Sequence, residues 1–194
     1  MLHLGLKVRN IMEKKGIKEY QHQSESITFR LDNTILNKLH REAEQKDISV
    51  NTLVSHIIRR HIDWHSNAAK AGFVTVRRGL LSFLISRLPQ KEISSIAEYI
   101  AKNETKDFVL LLRNEYNIES ALDVIETWIK ISGHPYRHEV NYTRHSYVIQ
   151  HDMGRNWSLY MAEQYRFLFE EFGLKRVEFD INNNTLDFVV DTEK

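Results

Sequence analysis

The sequence predicts an α+β protein in two parts, a short strand-helix-helix unit followed by a larger α+β domain with a mostly antiparallel sheet. Three observations predict it. Ile27-Thr28-Phe29-Arg30-Leu31 alternates apolar and polar residues with the two-residue period of a half-buried strand. Two apolar stripes at helical spacing follow at once. Farther on, two pairs of strand-like runs with turn residues between them flank a helix-length stripe.

The first strand is bounded by Ser24-Glu25-Ser26 and by Asp32-Asn33. Asp32 or Asn33 can cap the next helix by accepting from its first free amides. Ile35, Leu36, Leu39 and Ala43 mark one face of that helix to about Lys46, with Asn37, Lys38, Arg41, Glu42 and Glu44 solvated. Asp47-Ile48-Ser49 makes the turn, and Ser49 caps again. Val50, Leu53, Val54, Ile57, Ile58 and Ile62 then form a second apolar stripe that ends near Trp64.

His65 to Gly72 is small and polar and reads as a linker. Beyond it come an extended piece at Phe73 to Val76, helices at about Leu80 to Leu88 and Lys91 to Lys102, an ambiguous apolar segment at Phe108 to Arg113, and a helix from Ile118 to Ser132. Strands at Tyr136 to Tyr142 and His145 to His151, a helix from Trp157 to Phe172, and a hairpin of Lys175 to Ile181 with Leu186 to Val190 complete the domain. The expected organisation is a mobile basic arm at 1–24, the strand-helix-helix unit at 25–66 and the α+β domain at 73–194.

Charge separates the same two parts. Up to Arg78 there are 14 Lys and Arg against 8 Asp and Glu, and after it 13 against 18. That asymmetry suits a polyanion-binding arm joined to an acidic domain. The absence of cysteine excludes disulfides, thiolate metal sites and cysteine nucleophiles. The first ten residues lack a signal-like apolar run, and the longest apolar run, Phe108 to Leu112, is too short to span a membrane, so a cytoplasmic protein is expected. No Gly-rich phosphate loop, nucleophile elbow or paired-carboxylate signature is present, so no enzyme and no cofactor are expected.

One strand with two short helices cannot stand alone, because its ladder groups are unpaired and about 40 residues bury too little apolar surface. Two copies solve both problems by pairing their strands antiparallel and merging four helices. In that ribbon Ile27, Phe29 and Leu31 face the shared core, and Ser26, Thr28 and Arg30 share the exposed face. A two-stranded ribbon fits the DNA major groove, where arginine engages guanine bidentately and hydroxyls serve either edge.

These residues, Ser26 to about Trp64, resemble the ribbon-helix-helix fold of the Arc/MetJ superfamily, with Ser49-Val50-Asn51 close to the start of the second helix in the Arc repressor. The resemblance implies a homodimer on double-stranded DNA, with Ser26, Thr28 and Arg30 as base readers and the amides of Ser49, Val50 and Asn51 as a clamp on a backbone phosphate. A helix N-terminus is an anion site, so the physics agrees. The family usually has Gly where this chain has Asp47, whose carboxylate would sit near that phosphate. Whether dimers pair into tetramers is left open by the sequence.

In the second domain, a two-residue turn at Thr143-Arg144 would set Val140 opposite Tyr147, His138 opposite Ile149 and Tyr136 opposite His151, all on one side of the sheet. His138 and His151 then become diagonal neighbours, and with Tyr136 and Tyr147 they are the candidate lining of a small-molecule pocket. Structural histidines are the plainer reading and a metal at the His138/His151 pair the lesser one. His151-Asp152 also resembles the paired ligands of metal-dependent phosphohydrolases, without their other ligand positions. The segment His151 to Ser158 is similar to one in uncharacterised archaeal regulatory proteins. The layout resembles nickel-responsive repressors, from which the chain departs because their metal set includes a cysteine.

The expected function is a homodimeric, sequence-specific transcriptional regulator, a repressor by resemblance, whose second domain senses an effector or oligomerises. The alternative is an antitoxin or protein-binding module that uses the same unit for dimerisation.

Overall fold

The computed structural model describes residues 25–174 and 176–193; the expected basic arm at 1–24 lies outside them, as does Lys175 of the last hairpin. Helix α1 spans Asn33–Gln45. Its N-terminus is set by Asp32, whose Oδ1 accepts from the amides of Thr34 and Ile35 at 2.8 and 3.0 Å. Helix α2 starts at Val50–Arg60 and is capped by Ser49, whose Oγ accepts from the Thr52 amide at 3.0 Å. Between them Asp47 takes the left-handed conformation, φ 52°, and the Ile48 amide bonds back to the Ala43 carbonyl. An aspartate tolerates that conformation where a branched residue would not.

The first half of the expected linker, to Ala68, is instead helical, and residues 69–72 form a turn. From Arg60 the chain continues through a π-helical turn at His61–His65 and helical Ser66–Ala68. Asn67 and the alanines at 68 and 69 do not break a helix; the first breaker is Gly72, φ 81°. Packing also favours helix there, because Trp64 and Ala68 are buried. Trp64 meets Phe73 and Phe108 edge-on, with ring centroids 5.4 and 5.2 Å apart.

Helices α3 (Arg78–Ser86), α4 (Gln90–Ile100), α5 (Lys106–Arg113) and α6 (Ile118–Ser132) follow. The ambiguous apolar run is therefore helix α5, joined to α4 by a second π-helical turn, Ala101–Thr105. Asn117 caps α6 and Gly133, φ 67°, ends it.

Strands β1 (Tyr136–Asn141), β2 (Arg144–Gln150), β3 (Val177–Ile181) and β4 (Thr185–Asp191) form one antiparallel sheet in the order β1-β2-β4-β3. Helix α7 (Arg155–Glu171) joins the two hairpins. Tyr147, Ile149, Leu186, Phe188 and Val190 project from one face of the sheet into a core shared with Ile129 of α6 and Met161, Leu168 and Phe169 of α7. These are alternate residues of β2 and β4, as a sheet covered on one face requires. No helix among the described residues is long and apolar enough to cross a membrane.

The first hairpin turns one residue earlier than the sequence suggests. Asn141 pairs with Arg144, so the turn is Tyr142-Thr143, with Tyr142 at φ 55° and almost fully exposed. His138 therefore lies opposite Tyr147, and Tyr136 opposite Ile149. The register moves by two residues, which leaves every side chain on its expected face while changing its neighbours.

Candidate nucleic-acid interface

Within one chain Ile27–Leu31 forms no ladder. A strand needs a partner strand, and no described segment of the same chain supplies one. Ile27, Phe29 and Leu31 are 75%, 56% and 44% exposed, and Ile35, Ile57, Ile58 and Ile62 of the two helices are exposed beside them in sequence. Ala43 and Leu53 are buried in the α1-α2 pair itself. The unit thus leaves far more apolar surface in water than its own core removes, which is costly unless another surface covers it.

Ser26, Thr28 and Arg30 are all exposed, on the positions alternate to those apolar residues. At the start of α2, Ser49 Oγ lies 2.8 Å from Thr52 Oγ1 and occupies the Thr52 amide. The Val50 and Asn51 amides precede the first intrahelical bond, from the Leu53 amide to the Ser49 carbonyl. They are the unfilled donors that an anion at a helix N-terminus takes. Arg59 and Arg60 stand at the other end of α2, where Arg60 Nη2 donates to the Ile131 carbonyl of α6 at 2.9 Å.

The second domain sorts its histidines differently from the sequence-based expectation. His138 stacks on Tyr147 with centroids 3.9 Å apart, and Tyr147 stacks on Phe188 at 4.7 Å. Its Nε2 is 3.0 Å from His145 Nδ1 and its Nδ1 is 3.3 Å from Glu126 Oε2. Glu126 also accepts from the Tyr136 hydroxyl at 2.9 Å and pairs with Lys130 at 2.8 Å. Burial opposes ionisation of Glu126, but the hydrogen bonds from Lys130 and Tyr136 prevail and hold its carboxyl below the usual range. Burial, aided by the charge that His138 would carry, pushes the His145 pKa down.

His151 belongs to another cluster. It lies beyond the β1-β2 ladder, fully buried, and its ring is 6.4 Å from that of His134. His138 and His151 are thus not the diagonal pair that the earlier register implied, because the ladder opposes Tyr136 to Ile149 and leaves His151 past its end. Tyr136, His138 and Tyr147 are brought together around Glu126 and Phe188; His151 is not. No group of three His, Cys, Asp or Glu side chains among the described residues is placed to hold a metal ion.

Glu126, at the centre of the first cluster, and Ser158, whose Oγ lies 2.7 Å from His151 Nε2 in the second, escape sequence reasoning because each sits on a helix among residues that read as ordinary surface or core. His145 was within reach of it: it shares the sheet face of His138, and only the register concealed their contact.

Residues 10–58 match the HicB family. This stretch contains Ile27–Leu31, α1 and most of the first part of α2, and none of the sheet. No curated protein matches the chain.

Proposed function

We propose that this protein is an antitoxin-type regulatory module whose N-terminal unit dimerises through Ile27–Leu31 and holds DNA on the opposite face of the resulting ribbon. The observation that carries the reading is the alternation at 26–31: three exposed apolar side chains that need covering, and three hydrogen-bonding side chains between them. The match to the HicB family over residues 10–58 supports it, since that family is associated with toxin-antitoxin pairs. Pairing two such strands removes Ile27, Phe29 and Leu31 from water and completes their backbone ladder. It leaves Ser26, Thr28 and Arg30 of both chains on one ribbon that the major groove admits, with the α2 N-termini as phosphate anchors.

The acidic second part of the chain then serves a partner protein or an effector, the role that an antitoxin adds to DNA binding. Binding of the full chain to duplexes selected from a random pool, against scrambled duplexes over a salt series, tests the reading. Selective binding is expected; no affinity for any duplex near 50 mM salt overturns the DNA part. Phe29→Glu is expected to abolish selective duplex binding by unpairing the ribbon, and selective binding kept by that variant would overturn strand pairing as its basis.

A further inference from the structure

We infer that the Phe73–Leu84 surface is a second self-association site, where Val74–Val76 of one copy pairs with the same segment of another. This does not depend on DNA binding. Phe73, Val74 and Val76 of the connecting segment and Leu80, Phe83 and Leu84 of α3 are all exposed, Val74 by 79%. With roughly 200 Å² for a whole aromatic side chain and somewhat less for valine or leucine, their summed exposed surface is on the order of 500 Å². A stable interface covers about 800 Å² per partner, so these six side chains alone would supply the greater part of one.

The backbone adds a second requirement. The Phe73 amide donates to the Ala68 carbonyl, and the Arg77 carbonyl accepts from Leu80 and Leu81. Between those anchors Val74, Thr75 and Val76 make no backbone hydrogen bond among the described residues. The segment is fixed at both ends, by the Trp64-Phe73-Phe108 ring cluster and by α3, whose Ser82 Oγ donates to the Met153 carbonyl at 3.0 Å. It is a held edge with free donors and acceptors.

A second copy fits this edge. Antiparallel pairing about a two-fold axis at Thr75 makes the segment its own complement, with Val74 opposite Val76 and Phe73 opposite Arg77. Like charges stay apart in that arrangement, because the two Arg77 side chains fall at opposite ends of the pair. Arg78 is bonded to the Ser132 carbonyl and Arg87 lies over the Phe83 ring at 4.8 Å, so both guanidinium groups are held on their own chain.

The chain has no cysteine, so a single introduced thiol reports the contact. Full-length Thr75→Cys is expected to oxidise to a disulfide-linked dimer at micromolar concentration, and Tyr142→Cys, on the exposed hairpin turn, is not. In sedimentation experiments Phe29→Glu is expected to retain self-association, and Phe29→Glu with Val74→Glu and Leu84→Glu to fall to the mass of one chain with an unchanged circular dichroism spectrum. The inference is overturned if Thr75→Cys cross-links no faster than Tyr142→Cys. It is equally overturned if the added Val74 and Leu84 changes leave the mass unaltered, or alter only the capture of a different protein. None of these readouts uses DNA, so loss of DNA binding in any variant bears on the function proposed above and not on this surface.

Discussion

His151 Nε2 lies 2.7 Å from Ser158 Oγ, and the direction of that bond is settled by what surrounds it. The Met153 amide donates to His151 Nδ1 at 3.0 Å, so Nδ1 is the acceptor and the ring proton sits on Nε2. His151 therefore donates to Ser158, whose hydroxyl donates in turn to the Asn182 carbonyl at 2.6 Å. The relay ties the loop after β2, the start of α7 and the β3-β4 turn into one neutral, satisfied unit.

A neutral, buried His151 makes stability fall in acid. Burial first, then the neighbouring His134, lowers its pKa to about 4 from 6.5. The unfolded chain then binds the proton more tightly than the folded one, so the stability due to neutral His151 is complete above pH 6.5 and is lost as the pH falls towards 4. Between pH 7.5 and 4.5 the loss from this group is on the order of 2 kcal/mol. Urea unfolding of the wild type and of His151→Gln at both pH values checks it: the variant should be less stable at pH 7.5 and should lose less on acidification. Equal losses would refute the assignment.

Arg30 is the strongest base-discriminating side chain of the proposed ribbon face. Arg30→Ala should cost roughly 1–3 kcal/mol on a selected duplex and relax the preference at one base pair. Anisotropy titrations against duplexes altered at single positions measure both effects. A uniform loss across all sequences would mean that Arg30 contacts phosphate instead.

Asp47 carries two costs at once, a left-handed backbone at φ 52° and a carboxylate two residues before the Ser49 cap. Asp47→Gly should stabilise the fold by about 0.5–1 kcal/mol and tighten binding to every duplex, and Asp47→Val should destabilise it by about 1–2 kcal/mol. Thermal melts and salt-dependent DNA titrations separate the backbone effect from the charge effect.

Asp32 holds two amides at the start of α1. Asp32→Ala should cost about 1 kcal/mol, and Asp32→Asn much less, because the asparagine side chain can accept from the same amides. Chemical denaturation of the three proteins resolves the difference.

The local elements were legible because short-range rules govern them. Helix α6 occupies Ile118–Ser132 as its stripe and its Asn117 and Gly133 boundaries require. The left-handed turn at Asp47 and the caps at Asp32 and Ser49 follow from residue type and position. Alternation also placed Tyr147 and Ile149 on one face of the sheet, and a register shift of two residues preserves that placement.

What the sequence determined by itself is therefore the period of each segment, the face it buries and the alternation of apolar and hydrogen-bonding residues at 26–31. Which residues touch was decided by tertiary structure. The His138-His145 contact depends on where the hairpin turns, the helix through 61–68 on the burial of Trp64 against Phe73 and Phe108, and the proton position of His151 on the Met153 amide and on Ser158 of a different element. Periodicity is a property of neighbours along the chain, whereas register, burial and proton position are set by groups brought together from far apart in sequence, and only the folded packing fixes their distances.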